Sequence, residues 1–316
     1  MKAILKRAAR TVLFSRQAKS FIAWTKRFAL PGFDNTPLYN VADFFFTGLH
    51  KGSLNTRSSS LAFSFFMALF PSVIFLFTLI PFVPIPNFQD QLLELILNVL
   101  PDKAYQATRL TIVDIVKHQH GGLLSLGFLF ALYFTSNGFM ALMKGFNSSY
   151  HVSEKRSPWK QRIAALVLTL IMSFLLIIAT LLIIFSEIAI RFLTKEDLIK
   201  TKTQVIFLLA GKWIVVLAVF FLAISFLYYY GPSVKKRWRF VSAGSTFASV
   251  CSILTSIWFA FFVNNFGRYN TIYGSIGTLI VIMLWIYFNS YILLLGFELN
   301  ASIDNAKKLH QKNLKI

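Results

Sequence analysis

The chain has 316 residues, of which 56% are hydrophobic and 16% aromatic, while 14% carry a charge and Lys and Arg outnumber Asp and Glu by 32 to 12. A composition this apolar excludes an ordinary soluble domain. Runs at about 61–83, 123–143, 163–186, 212–230, 241–263 and 276–296 are each long enough to cross a hydrocarbon core, which takes ~20 helical residues.

Bilayer interiors offer no water to backbone N–H and C=O groups, and the alternation of a membrane barrel is absent. The fold class read from the spans is therefore all-α, a polytopic membrane protein with six transmembrane helices. In chain order, residues 1–60 come first as a basic segment in which Arg7, Arg10, Arg16 and Lys19 interrupt every apolar run, so no cleavable signal is expected. Ile4, Leu5, Val12, Leu13, Phe21, Ile22, Trp24 and Phe28 interleave with these cations at rough helical spacing. That pattern suits a basic helix on the membrane surface, and equally a solvated leader. Pro31-Gly32 ends it, and a second short helix is expected at 37–50, with Val41, Phe44, Phe45 and Leu49 on its apolar side. Between the first two spans, FQDQLLELILNVL (88–100) and TRLTIVDIVKH (108–118) flank a Pro101-Asp102 break. They predict an external amphipathic hairpin over 86–120. A basic tail at 301–316 closes the chain.

The charge follows the spans. Lys and Arg number 10 in 1–60, 5 in 144–162, 4 in 231–240 and 4 in 297–316, against 3 in 84–122, 4 in 187–204 and 1 in 264–275. The positive-inside rule then puts both termini in the cytoplasm and explains the basic excess through topology and anionic lipid headgroups, so nucleic acid is not an expected partner. Within the loop before the third span, Arg156, Trp159, Lys160 and Arg162 form a candidate contact for anionic lipid, although topology alone would place the same residues there.

Catalytic chemistry is scarce. His118 and His120 form the nearest histidine pair, with no Asp, Glu or Cys cluster beside them to complete a metal site; no metal or cofactor is expected. There is no GxSxG, phosphate-binding loop or dinucleotide fingerprint, so an enzyme is not expected either. Cys251 lies inside the fifth span as a small packing residue. Lys212-Trp213 reads as an interfacial anchor with a snorkelling ammonium.

Three features are candidates for a site. Ser242, Ser245, Ser249, Ser252, Ser256 and Ala260 share one face of the fifth span, which can either pack closely or line a polar groove with Asn137, Ser136 and Asn289. The segment NNFGRYNTIYGSIG (264–277), with Asn265, Gly267, Arg268, Tyr269, Asn270, Tyr273 and Gly274, reads as an external loop, either a plain turn or a gate folded over a cavity bounded by spans two, five and six. Glu298 adjoins the cytoplasmic end of the sixth span, where a carboxylate opposes the helix macrodipole, so an ion pair with the 156–162 or 231–240 loop is expected.

LAFSFFMALFPSVIFLFTLIPF (61–82), GFNSSYHVSEKRSPWKQR (145–162), YYYGPSVKKRWRF (228–240) and NNFGRYNTIYGSIGTLIVIMLWIYFNSYILLLGFELNA (264–301) resemble the YihY/virulence factor BrkB family of bacterial inner-membrane proteins, over roughly residues 40–303. The resemblance implies a six-span fold and, since members have been linked to movement of envelope lipids or ions, a transport role. A membrane scaffold stays open beside it. The family's older ribonuclease BN label implies RNA hydrolysis, which needs a metal cage or a placed acid and base that these residues do not supply.

Overall fold

The computed structural model describes residues 36–51, 53–82, 121–149, 156–195, 202–233, 240–265 and 267–313, with scattered positions between 20 and 34 and between 89 and 119. Among these, seven long helices follow one another: α1 (Leu38–Lys51), α2 (Leu54–Leu79, continued by a 3-10 turn to Phe82), α3 (Gly121–Asn147), α4 (Pro158–Lys195), α5 (Lys202–Tyr230), α6 (Ala243–Asn265) and α7 (Gly267–Asn313). No strand occurs among the described residues. Six stretches are long and apolar enough to cross a membrane: Leu54–Phe82, Gly121–Asn147, Pro158–Ile190, Ile206–Tyr230, Ala243–Val263 and Leu279–Leu309.

Helix ends depart from the composition-based spans for local reasons. Pro158 opens α4 at a position where its missing N–H costs nothing. In α2 the helix starts at Leu54, ahead of the apolar run, because Leu54 and Leu61 both pack into the core and carry the polar turn between them. The step from α1 into α2 passes through Ser53, left-handed at φ 43° and ψ 47°, and that sharp reversal lets both helices face the same part of α7. Within α2, Pro71 removes one ladder bond while Ser72 Oγ donates to the Ala68 carbonyl at 2.7 Å.

The segment 264–277, expected as a loop, has a helical backbone on both sides of residue 266. Gly267, Gly274 and Gly277 all fall within the helical backbone of α7. No tail separates at 301. With 47 residues, α7 is about 70 Å long at 1.5 Å per residue, far more than a hydrocarbon core requires. Its C-terminal part stays helical because Ile303 and Ala306 bury against Phe33 and Val41, and Lys307 pairs with Asp34 at 2.8 Å. That contact puts the first described segment and the end of α7 at one end of the bundle. Of the hairpin expected over 86–120, fragments alone are described, with Lys117 and Asp90 paired at 2.9 Å; the rest, like residues 1–19, lies outside the described residues.

The core sits at the same end. Leu142, Met143 and Phe146 of α3 meet Leu61 of α2, Leu168 of α4, Tyr228 of α5, Ala248 of α6 and Phe297 of α7. Phe146 stacks on Phe297 with centroids 4.3 Å apart, and Tyr228 Oη donates to the Leu293 carbonyl at 2.7 Å. Lipid is as apolar as these side chains, so close packing and interhelical hydrogen bonds, rather than hydrophobic burial, hold such helices together. By contrast α4 and α5 present Phe174, Leu176, Phe207 and Ile214 outward, as lipid-facing helices do.

Candidate functional site

At the core end, α2 and α3 part to leave a cleft of about 480 Å³. Thr56, Arg57, Ser60 and Ser64 of α2 form one wall, and Asn137, Met140, Ala141, Lys144, Gly145 and Ser148, on or just past α3, form the other. Among the described residues, no acidic side chain lines it. Lys144 is exposed at its edge and has no ion-pair partner among the described residues. Behind Asn137 stands a further cation: Arg162 of α4 donates to Asn137 Oδ1, and its guanidinium lies 4.6 Å from the centre of the Tyr133 ring.

Arg57 is the most constrained of these groups. Its side chain is 8% exposed, and Nη1 donates to the Gly145 carbonyl of α3 at 2.8 Å. Nη2 lies 3.7 Å from Oε2 of Glu298, whose side chain is fully buried in α7. That is ion-pair distance and too long for a hydrogen bond. Consistently, Nε and Nη2 of Arg57 and both carboxylate oxygens of Glu298 have no hydrogen-bond partner among the described residues. Glu298 is hemmed in on its other side by α1, where a Cβ on Gly48 would collide with the carboxylate. Two buried charges thus sit close enough to attract and too far apart to bond, the first held to α3 through Nη1 and the second packed against α1.

The partner of Glu298 is a correction to the sequence reading. The loops 156–162 and 231–240 were the expected sources of its cation, and Arg57 of α2 stands there instead. Arg156 turns elsewhere, donating to the Gly231 carbonyl at 2.6 Å. Trp159 and Lys160 are exposed at the start of α4.

The serine face of α6 packs against α7. Ser245, Ser249 and Ser252 are buried, Ser249 Oγ donates to Ser245 O in its own helix at 2.8 Å, and Asn300 of α7 bonds Gly244 N and Ser242 Oγ at 2.7 and 2.8 Å. Gly244 and Gly296 permit this approach, since a Cβ on Gly296 would come 2.7 Å from Gly244 O and 2.6 Å from Tyr228 Oη. Further along, Trp285 Nε1 reaches Ser256 Oγ at 3.3 Å, and Asn289 Nδ2 bonds Trp285 O within α7. Of the groove residues read from sequence, Asn137 lines the cleft, Ser249, Ser252 and Ser256 belong to this seam, and Asn289 bonds within α7. The side chains of Asn265, Gly267, Arg268, Tyr269, Asn270, Tyr273 and Gly274 lie outside the described residues. Lys212 Nζ lies 5.9 Å from the centre of the Trp213 ring, which is exposed.

Sequence reasoning missed Arg57 and Lys144 because both fell among cations assigned to topology. One available signal was Glu298 itself, an acid that required a partner. Among the described residues, no group of three or more His, Cys, Asp or Glu is placed to hold a metal ion.

The profile of the family described as Virulence factor BrkB matches residues 45–315, which takes in every helix from α2 to α7 and the second half of α1. The chain belongs to the BrkB family. It is 35% identical over 274 residues to "Putative ribonuclease-like protein YfkH" of Bacillus subtilis (strain 168), covering 84% of this chain and 94% of that protein. It is 25% identical over 257 residues to a UPF0761 membrane protein of Vibrio campbellii, covering 79% and 77% of the two chains. A UPF0761 membrane protein of Tolumonas auensis is 30% identical over 77 residues, 24% of this chain and 26% of that one. No solved structure matches this BrkB-family chain.

Proposed function

We propose that this BrkB-family protein is a transporter or flippase for an anionic, amphipathic component of the cell envelope, working in the bacterial inner membrane with both termini in the cytoplasm. The observation that carries the reading is the cleft between α2 and α3, a polar, acid-free recess in an otherwise apolar bundle. Ser60, Ser64 and Met67 follow at i, i+4 and i+7 and so share one helical face. The polar wall of the cleft therefore runs on into a lipid-facing stripe where Phe63, Met67 and Phe70 are exposed. Such a surface suits a cargo whose headgroup leaves the lipid while its chains remain there. The cations suit a negative headgroup, with the field of the basic cytoplasmic face behind them. A cavity of this kind favours transport over a purely structural scaffold, which would have no use for a polar recess edged by an unpaired cation.

The activity proposed is not enzymatic. The ribonuclease-like name belongs to the Bacillus subtilis relative. In this chain Glu298 is fully buried beside the Arg57 guanidinium at 3.7 Å, which does not suit it to exchange protons with a substrate.

Reconstitution tests the proposal. In vesicles of phosphatidylcholine and phosphatidylglycerol carrying an acyl-labelled, headgroup-quenchable phosphatidylglycerol, the purified protein should expose the inner-leaflet probe to quencher faster than protein-free vesicles. Equal rates in both would reject transport of this lipid class.

A further inference from the structure

A guanidinium has two edges suited to oxyanions, and in Arg57 they are in different states. Nη1 is committed to Gly145 O. Nε and Nη2, which together form the side-on fork that meets two oxygens of one anion, are buried and without a hydrogen bond. An unmade bond at a buried charged donor is costly, and the neighbouring carboxylate of Glu298 relieves it through attraction alone, at 3.7 Å. Arg57 is held to α3 through Nη1, and the Glu298 side chain stands against α1 at Gly48. The same Arg57 forms part of the cleft wall, with Lys144 unpaired at the edge.

We propose that the cleft is a binding site for a phosphate-bearing headgroup, in which Lys144 makes the outer contact and Arg57 turns its free Nε–Nη2 fork from Glu298 to the phosphate. Glu298 is then a built-in rival anion. It keeps the buried guanidinium charged and oriented when no ligand is present, and it gives way because at 3.7 Å attraction, and no hydrogen bond, holds the pair. Phosphate suits the site better than a carboxylate does. Phosphate oxygens are arranged tetrahedrally and point in more directions than the coplanar lone pairs of a carboxylate, so the Arg57 fork, the Lys144 ammonium and a hydroxyl of Thr56, Ser60 or Ser148 can approach one phosphate from different sides. The assignment rests on the anionic-cargo reading above and adds to it the chemical group recognised and the residues that recognise it.

The test uses the full chain in detergent, titrated with short-chain phosphatidic acid, short-chain phosphatidylglycerol, inorganic phosphate and, as the uncharged control, short-chain diacylglycerol. Both phospholipids should bind and diacylglycerol should not. Lys144→Gln, at an exposed position that does not threaten folding, should weaken binding roughly tenfold through loss of one charge-assisted hydrogen bond. Arg57→Lys should weaken it comparably although the charge is kept, because the fork is lost. Glu298→Gln should tighten it by removing the rival, the opposite of what a merely structural carboxylate would give. Inorganic phosphate binding as tightly as phosphatidic acid would make free phosphate the ligand and leave the site standing; much weaker phosphate binding assigns it to lipid. Equal binding of diacylglycerol, or affinities unchanged in both Lys144→Gln and Glu298→Gln, would overturn the site. Binding with the expected variant pattern but no lipid movement in vesicles strikes the transport reading alone, whereas lipid movement without the variant pattern strikes this site alone.

Discussion

Two polar stripes run through this apolar bundle, and they end differently. Along the α6–α7 seam, hydroxyls bond carbonyls of their own helix, Asn300 caps the approach of Gly244, and the backbones close up. Beside the cleft between α2 and α3, the Arg57 guanidinium and the Glu298 carboxylate of α7 stay buried with unmade hydrogen bonds among the described residues. A satisfied stripe holds helices together, and an unsatisfied one beside a cavity is arranged for something else to complete it. Polar residues in a membrane bundle are thus sorted by whether their bonds are already made, not by how many there are.

Perturbing the two regions should separate them. The largest loss is expected from Glu298→Ala, which strands a buried Arg57: about 3–5 kcal/mol, the usual cost of breaking one side of a buried pair, seen as a large drop in thermal unfolding temperature in detergent. Removing both charges in Arg57→Met/Glu298→Leu should restore much of that stability while abolishing headgroup binding. A double variant as unstable as Glu298→Ala would show that the pair has no such coupling.

In the seam, Gly296→Val should cost about 1–3 kcal/mol by overpacking against Gly244 O and Tyr228 Oη, and the protein that still folds should keep its headgroup affinity. A loss of affinity there with normal folding would mean the seam belongs to the site. The smallest effect is expected for Ser249→Ala, within about 0.5 kcal/mol, because the hydroxyl serves only its own helix. Unfolding in detergent measures both.

The six spans were legible because a charge-free run of this length fits little besides a helix across a bilayer. Their ends were not. Residues 55–60 read as Asn-Thr-Arg-Ser-Ser-Ser, loop-like in composition, yet Leu54 and Leu61 anchor both ends of that stretch in the core and hold it helical. Past residue 296 the polarity of α7 suggested a tail, but two small or branched side chains, Ala306 and Ile303, find a partner in α1. For the site, Glu298 announced a need for a cation, and pattern alone could not say which helix would bring it. Arg57 looked like one more topology-setting charge because nothing local distinguishes a buried arginine from a solvated one. The serine face was legible as small residues at helical spacing, which suit close packing and a polar groove alike; in the structure Ser245, Ser249 and Ser252 are buried and α6 packs on the next helix in the chain.

The contrast between stripe and cleft is most directly tested by labelling membranes that contain the protein with a phosphatidylglycerol whose headgroup carries a photoactivatable diazirine, then mapping the crosslinked peptides. Adducts should concentrate on residues 56–64 and 137–148 and be reduced by Lys144→Gln and by competing phosphatidic acid, with the seam at 245–256 unlabelled. Labelling of the seam equal to that of the cleft, or labelling confined to the outward faces of α4 and α5, would contradict a headgroup site between α2 and α3.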